Sequence, residues 1–179
     1  MEVNEEKQKP KTYELSLYNK NPNMTTQSFF PEAELKKLLA KDEYAYYQRF
    51  NEILNKYTDK FVFIDNLYTN LTTASKDDFA SAKQFTDELY FELSNITVPE
   101  AFRKSHAAYL QSVKATFLAF SALEEGRLDE ASKQIKISDE RKQAFVDEFR
   151  HMMDDRKSQA GDVSPAVSES QAQESPAQP

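Results

Sequence analysis

The chain has 179 residues, 39% of them hydrophobic, no cysteine, and a net charge of −7 from 30 acidic and 23 basic residues. One domain of this size buries roughly two thirds of its unfolded surface without metals or cross-links, and the lack of cysteine removes disulfides, thiolate chemistry and cysteine-ligated zinc or iron–sulfur. The acidic balance argues against a nucleic-acid surface, which needs a basic stripe to exchange for counterions, and no apolar run is long enough to span a membrane.

Residues 1–28 carry Pro10 and Pro22, Asn19, Asn21 and Asn23, and one short alternating stretch from Tyr13 to Tyr18. They are predicted as a mostly irregular arm. The first thirty residues have neither the charged start nor the apolar core of a secretory signal, so the chain as given reads as cytoplasmic. The Lys-rich opening also suits the linker of an envelope protein whose signal has been removed, which is the alternative compartment.

A helix is predicted to begin near Pro31, because proline in a first turn lacks only an N–H that would go unpaired. Tyr47, Phe50, Leu54, Tyr57, Phe61, Ile64, Tyr68 and Leu71 then alternate steps of three and four, and Tyr46, Ile53 and Leu67 widen that seam. No Gly or Pro stands between Pro31 and Pro99, so this helix is expected to run unbroken to the segment 70–75. Ser75, followed by Lys76, Asp77 and Asp78, predicts the next start: a capping hydroxyl, then acids at the positive helix end. The second helix should bury Phe79, Ala82, Phe85, Leu89, Leu93 and Ile96.

The third helix restarts at Thr97 or Val98, with Pro99 in its first turn, and stops at Gly126, one of two glycines in the chain. It carries two packing faces. Phe102, His106, Tyr109, Val113, Thr116, Phe120 and Leu123 make a large seam. Ala101, Ser105, Ala108, Ser112, Ala115, Ala119 and Ala122 make a small-residue stripe roughly 100° around the helix, able to take a close neighbour. The fourth helix runs from about Leu128 to Met153 through Leu128, Ala131, Ile135, Phe145, Phe149 and Met152. Its polar stretch from Lys136 to Gln143 predicts a kink or break at Ile137 and Ser138. Residues 158–179, rich in Ser, Gln, Ala and Pro, cannot bury enough to offset ordering entropy and are predicted disordered. Together these elements predict an all-α fold, an antiparallel up-down-up-down four-helix bundle over residues 29–157.

No enzymatic chemistry is legible. A dinuclear metal site in such a bundle needs Glu-x-x-His on two helices and a Glu on each of the others; Glu148 and His151 have that spacing, but the only other histidine, His106, follows Arg103 at the matching position. A serine nucleophile on a sharp turn and a phosphate loop both need glycines the chain does not have. No cofactor is implied. His106 falls in the large seam between Phe102 and Tyr109 and needs a Tyr hydroxyl or a carbonyl as partner, or else serves a ligand or a pH response. The first helix is crowded with aromatics, most of them expected in the core. Tyr44, Tyr46, Val62, Phe63 and His106 are the candidate contacts to a partner or an apolar ligand.

The run Val98-Pro99-Glu100-Ala101-Phe102, with His106, Tyr109 and Leu110, then Gly126 and the restart Asp129-Glu130-Ala131, resembles uncharacterised helical-bundle proteins of Gram-positive bacteria, some of them envelope-attached. The resemblance covers residues 75–135 and implies a helical bundle without catalytic residues. The chain departs from the envelope-attached members in having no lipid-attachment cysteine. The expected function is a non-enzymatic helical module for protein–protein interaction, a self-associating scaffold or an accessory factor. The alternative is a bundle binding a small apolar ligand or lipid through its aromatic first helix and His106.

Overall fold

In the computed structural model of the chain, residues 31–161 are described. Six α-helices follow one another among them: α1 (Glu32–Leu38), α2 (Lys41–Lys56), α3 (Thr58–Thr69), α4 (Lys76–Ser94), α5 (Arg103–Glu124) and α6 (Leu128–Gly161), with a 3₁₀ turn over Glu100–Phe102 leading into α5. No strand occurs among the described residues, and the fold is all-α. The arm expected over 1–28 and most of the tail expected over 158–179 lie outside the described residues. The last helix continues beyond residue 157 to Gly161.

The expected unbroken first helix is three helices. At Leu39 the backbone is extended (φ −93°, ψ 139°), and α2 restarts with the Glu43 carboxylate accepting the Ala40 N–H at 2.8 Å. Ala40 offers no capping side chain, so one Glu three residues on supplies half of a capping box. At Tyr57 (φ −103°, ψ 14°) α2 gives way to α3, where the Thr58 hydroxyl donates to the Asn55 carbonyl at 2.9 Å and competes with the helical ladder. Neither break has a Gly or Pro. The seam still points inward on both sides of Tyr57: Tyr47, Phe50, Leu54, Tyr57, Ile64 and Tyr68 are buried, as are Tyr46, Ile53 and Leu67.

α4 begins and α5 ends where the sequence places them, but α5 starts only at Arg103, after the 3₁₀ turn that follows Pro99, and Ile96, expected buried in the second helix, lies past the end of α4 and is half-buried. The Ser75 hydroxyl accepts the Asp78 N–H at 3.1 Å and the Asp78 carboxylate accepts the Ser75 N–H at 2.8 Å, a complete reciprocal cap. Gly126 has a φ of 73°; its N–H donates to Leu123 and that of Arg127 to Ala122, at 3.1 and 2.8 Å, which closes α5 in a Schellman turn. All seven large-seam residues of α5 are buried, and the small stripe is buried from Ser105 to Ala122, while Ala101 is exposed.

With both of its faces out of solvent, α5 packs most extensively against α6, then against α4. Along the α5–α6 seam, Phe102 meets Phe149, Tyr109 meets Phe145 (ring centroids 5.7 and 5.2 Å apart) and Thr116 meets Ser138 at 2.8 Å, so residues advancing along one helix meet residues receding along the other. Phe79 beside Phe120 and Leu93 beside His106 give the same order for α4 against α5. Phe50, Phe102 and Phe120 are at most 2% exposed, each worth roughly 1.5–3 kcal/mol of burial.

The predicted break at Ile137 and Ser138 is not there: α6 is uninterrupted. Its polar stretch keeps the seam register, with Ile135, Ser138, Lys142, Phe145 and Phe149 all buried. The Thr116 and Ser138 hydroxyls stand 2.8 Å apart and each is 3.0 Å from the Ser112 carbonyl. One donates to that carbonyl and the other to its neighbour, which satisfies both.

Candidate functional site

Tyr46 and His106 meet in the interior. The Tyr46 hydroxyl lies 2.8 Å from Nδ1 of His106, and Nε2 lies 3.1 Å from the Leu93 carbonyl. A carbonyl only accepts, so Nε2 carries the proton and Nδ1 accepts from the tyrosine, which makes the ring neutral and fully bonded. Burial lowers the imidazole pKa, partly offset by the bond to Leu93, and raises that of the Tyr46 phenol. Phe50 and Phe102 pack against the pair, the Phe102 ring 4.7 Å from that of Tyr46. His106 is 5% exposed and serves as a core histidine.

The other candidate contacts lie elsewhere. Tyr44 is half-buried at the α1–α2 junction, its hydroxyl donating to Glu32 at 3.0 Å and its ring 5.8 Å from the Lys36 ammonium. Val62 is 46% exposed on α3. Phe63, half-buried, lines an open cleft of about 210 Å³ with Leu67, Asn70, Ala74 and Asp78. The five residues do not converge on one site. Glu148 and His151 are both exposed, and among the described residues no three His, Asp or Glu side chains gather as a metal would require.

The structure gathers two polar groups of residues that the periodicity does not announce. At the end of α6, Arg156 forks onto the buried Glu43: Nη2 donates to Oε1 at 2.6 Å, and Nη1 donates to both Oε2 and the Leu38 carbonyl. The guanidinium holds the Glu43 carboxyl below its ordinary pKa against the opposing effect of burial. This clamp joins both sides of the α1–α2 break to α6.

The second group lies in mid-bundle around a cavity of about 30 Å³, bounded by Asp65 of α3, Thr86 of α4, Tyr109, Ser112 and Thr116 of α5, and Lys142 of α6. That volume has room for a water molecule. The Lys142 ammonium is 3.6 Å from Asp139, and its side chain is 11% exposed. Oδ1 of Asp65 is out of solvent with no hydrogen-bond partner among the described residues. Burial raises the Asp65 carboxyl to about 6 although Lys142 pulls it down, raises Asp139 likewise, and lowers Lys142 against the pull of both acids. The sequence signal was available for Lys142, which stands in seam register three residues before Phe145. Asp65 sits beside Ile64 rather than on the main seam, and gives no such signal.

Comparison of the chain with protein-family models, with curated proteins and with solved structures returns no match. Among the described residues no helix is long and apolar enough to cross a membrane.

Proposed function

We propose that the chain is a non-enzymatic helical module that binds another protein, or a second copy of itself, through its outer surface. The observation that carries this reading is the division of its large apolar side chains. The inward aromatics are consumed in mutual packing, while Phe91 is 69% exposed and Val62 46% exposed. Phe91 lies on the side of α4 opposite Leu89 and Leu93, both of which are at most 1% exposed. Exposed aromatics of this kind serve as binding anchors. The order of inter-helix contacts supports an up-down-up-down arrangement in which α2 and α3 together take the place of the first helix, leaving the outer sides of α3 and α4 as surface. The resemblance over residues 75–135 points the same way, since it implies no catalytic residues.

The apolar-ligand alternative draws no support from the interior, where the cavity of about 30 Å³ has room for water and not for an acyl chain. Sedimentation velocity over a hundredfold concentration range, on the wild type and on Phe91→Lys and Val62→Lys, tests self-association. Affinity capture with the same three proteins tests a different partner. The reading expects a complex that either substitution weakens by tenfold or more without lowering the unfolding midpoint. A chain that stays monomeric, captures nothing in a Phe91- or Val62-dependent way, and gains stability from a fatty acid would overturn it.

A further inference from the structure

In the middle of the bundle the buried Lys142 ammonium stands with two carboxylates, Asp65, whose Oδ1 is out of solvent, and Asp139, which is 30% exposed, so with all three ionised the group carries one uncompensated negative charge. Lys142 stands with Asp139 at 3.6 Å; Asp65 faces the same cavity from α3, with Oδ1 unbonded among the described residues. The surroundings leave little to stabilise that extra charge. α5 contributes Tyr109 and the hydroxyls of Ser112 and Thr116, α4 contributes Phe85, Thr86 and Leu89 without a charge, and α3 itself adds Tyr68. The Ser112 hydroxyl already donates to the Tyr109 carbonyl, and that of Thr116 to the Ser112 carbonyl or to Ser138. A buried carboxylate with one lone charge too many lowers its energy most simply by binding a proton.

We propose that Asp65, Asp139 and Lys142 form a proton-binding site in the core, which takes up one proton at Asp65 on mild acidification and, on releasing it, loosens the packing around the cavity that Asp65 and Lys142 share. Protonated Asp65 needs only a hydrogen-bond acceptor or the water the cavity can hold. Ionised Asp65 competes with Asp139 for a single ammonium. With the carboxyl raised from 3.8 to about 6 in the folded chain, the folded state binds the proton more tightly than the unfolded state. The resulting stability is fully present below pH 3.8 and is lost as pH rises through about 6.

Chemical denaturation of the full chain at pH 5 and pH 7.5, for the wild type and Asp65→Asn, reads this directly. Dividing wild type by variant cancels the titrating groups that do not interact with Asp65. The ratio of unfolding constants should rise about tenfold from pH 5 to 7.5, and a ratio that stays within twofold overturns the proposal. The ¹³C shift of the Asp65 carboxyl in the wild type gives an independent reading that needs no variant. A midpoint near 6 supports the site, and one at the ordinary carboxylate value of about 4 overturns it.

Discussion

Tyr46 and His106 illustrate what single residues disclose. The seam position of His106 required a partner, and a tyrosine hydroxyl or a carbonyl was the chemical choice; the structure uses both, from α2 and α4. Which tyrosine it would be was not legible, because the pairing spans sixty positions of sequence. Removing the hydroxyl in Tyr46→Phe leaves Nδ1 buried without a donor, and should cost about 1–2 kcal/mol in denaturant unfolding. The histidine also has a pH signature. Its folded pKa is depressed below 6.5, so its contribution is complete above 6.5 and is lost as pH falls towards the folded value. Asp65 works in the opposite direction, so the effect of His106 should stand clear in Asp65→Asn, whose unfolding midpoint is expected to fall between pH 7 and 5.5. The Glu43–Arg156 clamp had no periodic signal at all. Glu43→Ala leaves the half-buried Arg156 fork without its carboxylate and should cost about 1.5–3 kcal/mol, whereas a loss below half a kcal/mol would show the clamp to be solvent-screened.

Helix ends were legible where local chemistry writes them. Ser75 with Asp78, and Gly126 after Glu125, are self-contained signals, and the structure has both. The breaks at Leu39 and Tyr57 were not, because they rest on a distant Arg and a single Glu in one case and on Thr58 in the other. A helix can end without Gly or Pro where side chains take up the freed backbone groups. In α6 the opposite happened: the polarity of Lys136 to Gln143 suggests a break, yet Ser138 and Lys142 keep the steps of three and four and turn their polar ends into an interior that accommodates them. The small stripe of α5 gives the sharpest test at this scale. Ala115 is 3% exposed while its neighbour Lys114 is exposed. Ala115→Leu should overpack the interior at a cost of about 1–3 kcal/mol, and Lys114→Leu, of similar helix propensity and without packing to lose, close to nothing. Equal effects would mean that the stripe faces water.

At the scale of the whole molecule, helical periodicity fixes that the fold is all-α and which faces turn inward, because the hydrophobic effect acts on each helix separately. It does not fix how six helices share an interior, since that depends on side-chain pairs remote in sequence: Thr116 with Ser138, Tyr46 with His106, Tyr47 with Phe149. Nor does it reveal function, because the buried polar groups here keep the helical spacing of core residues and the exposed apolar side chains are ordinary ones. The interior is organised on α5, packed against α6 in the register that pairs Thr116 with Ser138. A chain without cysteine allows that register to be tested by introducing two. In Thr116→Cys/Ser138→Cys, mild oxidation should form an intramolecular disulfide in the folded monomer, while Lys114→Cys/Ser138→Cys, with one thiol facing solvent, should keep both thiols free. Free thiols in the first pair, or a bridge in the second, would contradict the arrangement from which everything else here follows.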